Sequence, residues 1–394
     1  MLLRVEGFPR LVASLLLGRV AGQMLSVGLV LFVLSRYHSP QLAGAAVFLV
    51  TFPGLLVAPV AGALLDRYGR TGLVSVDYLV AAATMFALAA LSTAHALPAW
   101  LLLAICGLSS VTGPLGIGGA RSLVPSIVPN HLWERANAFD SSSDVLATII
   151  GAPLAGILVG FVGAEWALTV AAVLFAGAGA AMLTVRDRGF VPQGGRVLTE
   201  AWSGLVYVLR NRTLVGLALT FFGFSVGWGC MVIAIPVLVL GRLHQGPAAV
   251  GYMWGLVGVA GLVAMLLAGR IRTRGRERWL MAVSIVAMAA VMAVVPLAGS
   301  VFVVGAALVA IALVETPFNI SFLTLRQRRS DPARFGRVFA VSVSLNMLGG
   351  PVGSALAGPL IAWSLNGAVW IAAACMAAAA LFPILVIPAR DEHD

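Results

Sequence analysis

Three charged residues of this 394-residue chain, Arg19, Asp144 and Glu315, lie well inside long runs of apolar residues. If such a run crosses a membrane, each charge costs about 2.5–3.5 kcal/mol and needs a partner or a function. Arg19 and Asp144 both lie about nine residues into their runs, roughly 13 Å deep at the rise of an α-helix. They are therefore predicted to pair. The pair is either a site that exchanges its salt bridge for a proton or a substrate, or a fixed structural contact.

Two further acids lie in the same half of the chain. Asp140 precedes Asp144 by one helical turn and is nearer the membrane surface, which favours a structural or gating role over proton coupling. Asp77 is expected to pair with Arg121 in a structural contact, because an acid in a membrane span must find a partner.

Glu315 is the one acid deep in the second half of the chain, and it lies two residues before Pro317. A carboxyl group held away from water can bind and release a proton during transport, so Glu315 is the candidate for proton coupling. The alternative is a hydrogen-bonded structural glutamate. Asn319 lies one turn further along and shares the helical face of Glu315.

The composition is that of an integral membrane protein. Hydrophobic residues make up 60% of the chain and charged residues 10%, whereas a soluble domain carries roughly 25% charged residues. The three cysteines lie inside apolar runs and the five histidines are scattered, so neither a disulfide framework nor a metal site is predicted. No cofactor is predicted. Without paired catalytic residues, a membrane-embedded enzyme is a distant alternative.

Twelve windows are apolar enough to cross a membrane, which needs about 20 residues each. An even number of spans places both termini on one side. The predicted spans are 11–34, 41–64, 72–94, 98–121, 136–160, 164–185, 213–240, 247–268, 279–297, 300–324, 335–363 and 367–388.

The basic residues divide sharply between the two sides of these spans. All 25 basic residues are arginines; with Arg19 inside the first span, 22 lie on one side, and Arg36 and Arg242 lie on the other. We call the first side the arginine-rich side. The positive-inside rule makes it cytoplasmic, with both termini there and the chain in the inner (plasma) membrane. The net charge of +10 thus reflects topology, and no nucleic-acid partner is predicted.

The sequence repeats itself at an offset of 202 residues, which aligns 135–158 with 337–360. Two parallel halves of six helices are a transporter architecture, with the substrate near the midplane. The predicted organisation is an N-terminal six-helix bundle at 1–185, a cytoplasmic linker with a short interfacial helix at 186–212, and a C-terminal six-helix bundle at 213–394.

The repeat separates packing residues from candidate functional residues. Asn346 is the counterpart of Asp144, and a shift of 203 pairs Thr112 with Glu315, so packing common to both halves does not require the acids. Small residues that allow close helix contact recur in both halves. This helix-packing motif consists of Gly151, Pro153, Gly156, Gly350, Pro351 and Gly353.

The candidate substrate cavity combines polar residues with an aromatic wall. Its polar members are Gln23, one turn beyond Arg19, together with Asn319 and Asn346. Packing or lipid contact explains most of the aromatic and methionine residues on spans 7 and 8, and Trp228 is retained as the substrate-contacting candidate. The wall consists of Phe221, Phe222, Trp228, Met231, Tyr252 and Trp254.

The segment between spans 2 and 3, "GALLDRYGR" (62–70), resembles the G-x-L-x-D-R-x-G-R loop of the major facilitator superfamily. A tight loop accounts for the two glycines, and the arginines anchor it at the membrane surface. The gating motif comprises Gly62, Asp66, Arg67, Gly69 and Arg70. The family's usual basic residue after the last arginine is Thr71 here, and the second half has Arg272 in place of the acid.

Two more stretches carry the resemblance. "GAPLAG" (151–156) is similar to the Gly-Pro motif of the antiporter branch, with Ala152 in place of a glycine, and "RQRRSDPARFGRVFA" (326–340) resembles a loop of the macrolide-efflux and siderophore-exporter branch. The resemblance implies an all-α integral membrane fold of twelve transmembrane helices in two pseudo-symmetric six-helix bundles.

The same resemblance implies a monomeric secondary transporter whose partners are protons, a small-molecule substrate and the lipid bilayer. It works by alternating access and exports an amphipathic or lipophilic small molecule by proton antiport. Asp66 and the Gly/Pro segments of spans 5 and 11 would govern closure. The alternatives within this fold are a lipid or lysolipid flippase and a nutrient importer.

Overall fold

The computed structural model describes residues 5–185, 187, 206–268, 273, 275–329 and 345–388, except for four side chains at 121, 125, 130 and 134. Within this part of the chain every regular element is helical, and twelve helices are long and apolar enough to cross a membrane. The predicted number of spans is confirmed. Residues 206–210 of the predicted linker are helical, and most of the rest of that linker lies outside the described residues.

The helices are α1 Phe8–Tyr37, α2 Pro40–Leu49 continued by Phe52–Tyr68, α3 Arg70–Thr93, α4 Ala99–Ser110 continued by Gly113–Ile127, α5 Trp133–Phe161, α6 Ala164–Leu183, α7 Arg212–Val237 with a π-helical turn Leu238–Arg242, α8 Pro247–Ala268, α9 Glu277–Val294 with a 3-10 turn Val295–Leu297, α10 Val301–Arg328, α11 Leu345–Trp363, and α12 Leu365–Ala379 continued by Leu381–Leu385.

Two helices of the first half, α2 and α4, each consist of two segments separated by two non-helical residues. In α2 the break falls at residues 50–51, and in α4 it falls at 111–112. Each second segment carries a proline in its first turn, Pro53 or Pro114, where the missing N–H has no intrahelical partner to lose. These breaks interrupt predicted spans without ending them.

The turns of the two halves repeat one another at an offset of 206 residues. Gly69, between α2 and α3, has a φ of 89°, and Gly275, before α9, has a φ of 79°, a left-handed conformation that favours glycine. His38, after α1, and His244, after α7, are also left-handed, with φ of 51° and 50°. The repeat therefore extends from the sequence to the backbone.

The two arginines outside the arginine-rich side have matching structural contacts. A guanidinium nitrogen of Arg36 lies 3.3 Å from Nδ1 of His95, in the loop after α3. Arg242 donates a 2.7 Å hydrogen bond to the carbonyl of Pro296, at the end of α9. Each arginine thus connects the end of the first helix of its half to the end of the third.

The described chain divides into two compact units. One contains Met1–His38, Leu49–Val197 and Gly246–Gly255, and the other contains Ser39–Phe48, Leu198–Gln245 and Leu256–Asp394. In the first unit α1 packs against α5 and α6, and in the second α7 packs against α11 and α12. Two ten-residue segments, the start of α2 and the start of α8, are thus grouped with helices from the opposite half of the sequence.

The small-residue motif mediates equivalent contacts in the two units. A Cβ placed on Gly151 of α5 would lie 2.7 Å from the carbonyl oxygen of Val20 in α1, and one placed on Gly353 of α11 would overlap the carbonyl oxygen of Val226 in α7. The glycines are 202 residues apart and the valines 206. Backbone contact at these positions leaves no room for a side chain.

Candidate functional site

The polar centre of the first unit is a cluster of Arg19 on α1 with Asp140, Ser143 and Asp144 on α5. Nη2 of Arg19 lies 2.8 Å from Oδ1 of Asp140, and Nε lies 3.1 Å from Oδ1 of Asp144. Nη1 donates to the Asp140 carbonyl at 2.6 Å and to the Ser143 hydroxyl. The two carboxylates are one turn apart, so a single guanidinium fork reaches both.

Exposure distinguishes the two acids of this cluster. The side chains of Arg19 and Asp140 are 16% and 22% exposed, whereas that of Asp144 is 55% exposed. The sequence favoured Asp144 over Asp140 as the partner of Arg19. The structure makes Asp140 the closer and more protected partner of Arg19, and Asp144 the more accessible one.

Gln23, one turn beyond Arg19, is half-buried at the contact of α1 with α5. A Cβ on Gly151 would lie 2.7 Å from the Cβ of Gln23, so the glycine makes room for the glutamine. The predicted cavity residue is thus next to the Arg19 cluster.

Glu315 and Asn319 are adjacent on α10 in the second unit. Nδ2 of Asn319 donates a 3.2 Å hydrogen bond to Oε1 of Glu315, and both side chains are half-buried. The prediction that Glu315 and Asn319 share one face of the helix is confirmed. A half-buried carboxyl group with an amide donor can exist in either protonation state without losing its partner, since the amide also has an acceptor oxygen.

Five aromatic residues on α7 and α10 form one packed group, which we call the aromatic cluster: Phe221, Phe224, Trp228, Phe318 and Phe322. The ring centroids of Phe221 and Phe322 are 5.0 Å apart, those of Phe224 and Phe318 are 5.1 Å apart, and Trp228 stacks on Phe224 at 6.3 Å. Such pairs contribute beyond the area that they bury. Phe221 and Trp228 are half-buried, so the cluster has an accessible edge.

The expected aromatic wall on spans 7 and 8 is therefore corrected. Phe221 and Trp228 belong to an aromatic group, but two of its five members come from α10. Met231 is fully buried, and Tyr252 is 53% exposed on α8. Phe318 and Phe322 were not predicted, although their spacing from Glu315 (three and seven residues) places all three on one helical face.

Asn346, the counterpart of Asp144, is 2% exposed and differs from it in environment. Its Oδ1 accepts no hydrogen bond from the part of the chain that the structure describes. The repeat thus places a buried amide where the first half has an accessible acid.

The gating motif lies at the turn between α2 and α3. Asp66 and Arg67 are exposed, and Arg70 donates a 3.2 Å hydrogen bond to the carbonyl of Ser122 on α4. Gly69 has the left-handed φ that a tight turn needs. Gly62 does not belong to the turn: it lies inside α2, and a Cβ there would meet no atom within 4 Å. A tight loop therefore does not explain that glycine.

The second half has an acid in the corresponding region that the sequence pattern did not single out. Oε1 of Glu277, the first residue of α9, forms a 2.8 Å ion pair with Nη1 of Arg328 at the end of α10. Glu277 is only 4% exposed. The predicted asymmetry at Arg272 lies outside the described residues. In the sequence, Glu277 could have been identified as an acid that directly follows the Gly275–Arg276 turn.

Asp77 on α3 contacts α4. Its carboxylate packs on the second segment of that helix, where a Cβ added to Gly116 would overlap Oδ2 of Asp77. The expected partner Arg121 has a side chain outside the described part of the structure, so the predicted pair stays a prediction. Thr112 is the repeat counterpart of Glu315, and both halves therefore place a carboxyl group near this position of the fourth helix.

No group of three metal-ligating side chains occurs among the described residues. The groups that the structure brings together at these sites are the ion-paired side chains of Arg19, Asp140 and Asp144, the hydrogen-bonded pair of Glu315 and Asn319, and the rings of the aromatic cluster.

Comparison with known proteins agrees with this architecture. The family model of the Major Facilitator Superfamily matches residues 11–354. The chain belongs to the major facilitator superfamily. The uncharacterized MFS-type transporter y4rN of Sinorhizobium fredii is 37% identical over 98% of this chain and 96% of that protein. The multidrug efflux pump Tap of Mycobacterium tuberculosis is 25% identical over 83% of this chain and 80% of the pump.

Solved structures show the same fold. A crystal structure of the nucleoside transporter NupG covers 96% of this chain and 99% of its own with a TM-score of 0.79 at 12% identity. A bacterial homologue of the human lysosomal transporter Spinster, in an inward-facing conformation, covers 96% of this chain and 94% of its own with a TM-score of 0.68 at 14% identity. At these identities the likeness concerns the fold alone. The chain is a multi-pass membrane transporter of twelve helices.

Proposed function

We propose that this protein is a proton-coupled exporter of an amphipathic or lipophilic small molecule, working by alternating access. We further propose that it acts as a monomer in the inner (plasma) membrane with both termini cytoplasmic. The distribution of arginines supports the orientation, since 22 lie on one side of the spans and two on the other. The 25% identity to the efflux pump Tap supports export.

The observation that carries the proposal is the surplus carboxylate at Arg19. One guanidinium faces two carboxylates, so the cluster has a net charge of −1 when both acids are ionised. Binding of one proton makes the cluster neutral while Arg19 keeps one ion-pair partner. Asp144 is the acid that takes the proton, because it is the more exposed and Asp140 keeps the shorter contact.

Glu315 supplies a second proton-binding carboxyl group beside the apolar surface. It lies one turn from Phe318, and the accessible edge of the aromatic cluster is formed by Phe221 and Trp228. An apolar or amphipathic molecule contacts such an edge through its hydrophobic part. Release of this molecule is linked to protonation of Glu315 when the carboxyl group and the substrate share one cavity.

The test is flux in proteoliposomes with an imposed pH gradient. We expect the purified protein to move a lipophilic cation or a neutral apolar dye against the proton flow, and an ionophore that collapses the gradient to stop it. Glu315→Gln is expected to abolish gradient-driven transport while keeping exchange without a gradient. Asp144→Asn is expected to lower it.

A matched control is available in α6. Glu165 accepts a 2.8 Å hydrogen bond from the hydroxyl of Ser92, away from the proposed cavity residues, and Glu165→Gln is expected to leave the flux unchanged. Unaltered gradient-driven flux in Glu315→Gln would remove that residue from coupling. Transport of a labelled phospholipid or a nutrient in place of the dyes would favour the flippase or the importer.

A further inference from the structure

The ends of four helices are tied together by arginines on the arginine-rich side of the second unit. Arg329, directly after α10, donates a 3.1 Å hydrogen bond to the hydroxyl of Thr213 at the start of α7. Arg278, the second residue of α9, donates a 2.9 Å hydrogen bond to the carbonyl of Pro383 in α12. The ends of α7, α9, α10 and α12 thus form one surface, which we call the arginine surface. It comprises Arg210, Arg212, Arg276, Glu277, Arg278, Arg326, Arg328 and Arg329.

Positive charge is concentrated on the arginine surface. Among the described residues it has seven arginines and one acid, Glu277, whose carboxylate is paired with Arg328 at 2.8 Å. The positive-inside rule predicts arginines at this end of both units, so it does not explain why the excess lies in the second. The described residues at the same end of the first unit are four arginines and three acids: Arg10, Arg67, Arg70, Arg135, Glu6, Asp66 and Asp187.

An exposed apolar stripe of α9 leads up to the arginine surface. Trp279, Val283 and Val286 are 66%, 60% and 51% exposed, and their spacing of four and three residues places them on one helical face. The last segment of α12 packs on α9, and its Leu385 is 74% exposed. Lipid acyl chains cover such a surface in a membrane span. Trp279 is at the position where tryptophan is enriched, the boundary between hydrocarbon and headgroups.

Arg276 lies where the stripe meets the arginine surface. It directly precedes α9, three residues before Trp279, and its side chain is exposed. Neither its guanidinium nor the indole N–H of Trp279 has a hydrogen-bond partner in the described part of the chain. A guanidinium binds a phosphate group through two parallel hydrogen bonds. The start of α9 therefore combines phosphate donors with a surface for an acyl chain.

We propose that the second unit binds an anionic phospholipid at the start of α9. Arg276 and the indole N–H of Trp279 bind the phosphate, and an acyl chain lies along the stripe of Val283 and Val286. The remaining arginines of the arginine surface favour a lipid of net negative charge over a zwitterionic one. This lipid is a bound ligand and not the transported substrate, so the site does not depend on the proposed function.

The experiment measures quenching of Trp279 fluorescence in bilayers that contain dibrominated phosphatidylglycerol or dibrominated phosphatidylcholine. The protein has nine tryptophans, so the part due to Trp279 is taken from the difference between the full-length protein and Trp279→Phe. We expect phosphatidylglycerol to bind about fivefold more tightly than phosphatidylcholine, the effect of about one charge near the membrane surface. About 1 M salt should reduce this preference, because it shortens the screening length to about 3 Å.

Three variants show whether the preference belongs to Arg276. Arg276→Gln is expected to bring the ratio of the two affinities close to one, and Arg276→Lys, which keeps the charge, to retain most of it. Each is paired with the same variant carrying Trp279→Phe. Arg135→Gln, at an exposed arginine of the first unit, is the matched control and should leave the ratio unchanged.

Three results would overturn the proposal. One is equal affinity for the two lipids in the unaltered protein. Another is a preference that Arg276→Gln leaves unchanged or that Arg135→Gln reduces as much, which would mean that the net charge of the protein attracts the lipid without a site. The third is a preference unaffected by salt, which applies even if Arg276→Gln does not fold. Absence of gradient-driven flux with an intact lipid preference would count against the proposed function and leave this inference standing.

Discussion

Arg19 divides its hydrogen bonds between two carboxylates whose environments differ. The sequence predicted that an arginine inside a span must find an acid, and the structure places two acids within 3.1 Å of it. Which of the two is closer depends on side-chain rotamers across a helix contact, and no sequence pattern encodes that. Asp140, three-quarters buried, is the structural partner, and Asp144 remains the predicted proton-coupling residue.

The two acids are expected to differ in their effect on stability. Asp140→Asn removes the 2.8 Å contact to Arg19 in a partly buried environment and should lower the unfolding free energy by about 1–3 kcal/mol. Asp144→Asn removes a pair whose acid is mostly exposed, and should change it by less than about 1 kcal/mol. Thermal unfolding in detergent micelles measures both.

Asp66→Asn, at an exposed acid, serves as the control for this comparison. A larger loss of stability in Asp144→Asn than in Asp140→Asn would show that the more exposed acid is the structural partner of Arg19.

The sequence predicted the positions of the membrane helices and the internal repeat better than the breaks within individual helices. Hydropathy locates a span because the bilayer requires about 20 apolar residues, and the 202-residue offset reappears in the contacts of Gly151 and Gly353. The breaks in α2 and α4 were not predicted, since proline and glycine are tolerated inside membrane helices when neighbours satisfy the freed backbone groups. At the break in α4 the hydroxyl of Thr112 itself donates a 3.1 Å hydrogen bond to the carbonyl of Ser109.

Two glycines three residues apart on α11 test the contact with α7. Gly353→Ala places a methyl group against the carbonyl of Val226 and should lower stability by about 1–3 kcal/mol, the usual effect of overpacking. Gly350→Ala meets no atom within 4 Å and should be neutral or stabilising, since alanine is the better helix former. Melting temperatures in one detergent compare the two. Equal losses at the two positions would mean that helix–helix contact is not what the glycine at 353 provides.

At the scale of the whole molecule, hydropathy predicted twelve membrane spans, and twelve such helices occur among the described residues. The internal repeat and the motif at 62–70 predicted a transporter of the major facilitator superfamily, and the family match confirms the family. The grouping of Ser39–Phe48 and Gly246–Gly255 with helices from the opposite half of the sequence was not predicted. It depends on contacts between helices about 100 or 300 residues apart in the chain, and hydropathy contains no information about such contacts.

Those two segments are grouped through equivalent glycine contacts. In one unit a Cβ on Gly251 of α8 would lie 2.8 Å from the carbonyl oxygen of Ala152, and Gly156 is in backbone contact with Gly251. In the other unit Gly44 of α2 contacts the Ser354 carbonyl in the same way. The residues on α5 and α11 again differ by 202. In the rocking motion of the proposed cycle, such contacts separate and re-form.

Gly251→Leu is therefore expected to shift the protein away from the arrangement in which the start of α8 packs on α5. If overpacking there costs about 1.4 kcal/mol, the population with this contact open rises about tenfold.

The measurement uses a variant without Cys106, Cys230 and Cys375 that carries Ala248→Cys. This position is chosen because the Cβ of residue 248 would lie 3.6 Å from a Cβ added to Gly160 of α5. Labelling of this cysteine by a membrane-impermeant maleimide should become several-fold faster. A Cβ added to Gly261 on the same helix would meet no atom within 4 Å, so Gly261→Leu should leave the rate unchanged. An equal rate in the two leucine variants would show that the glycine contact between α5 and α8 does not control this opening.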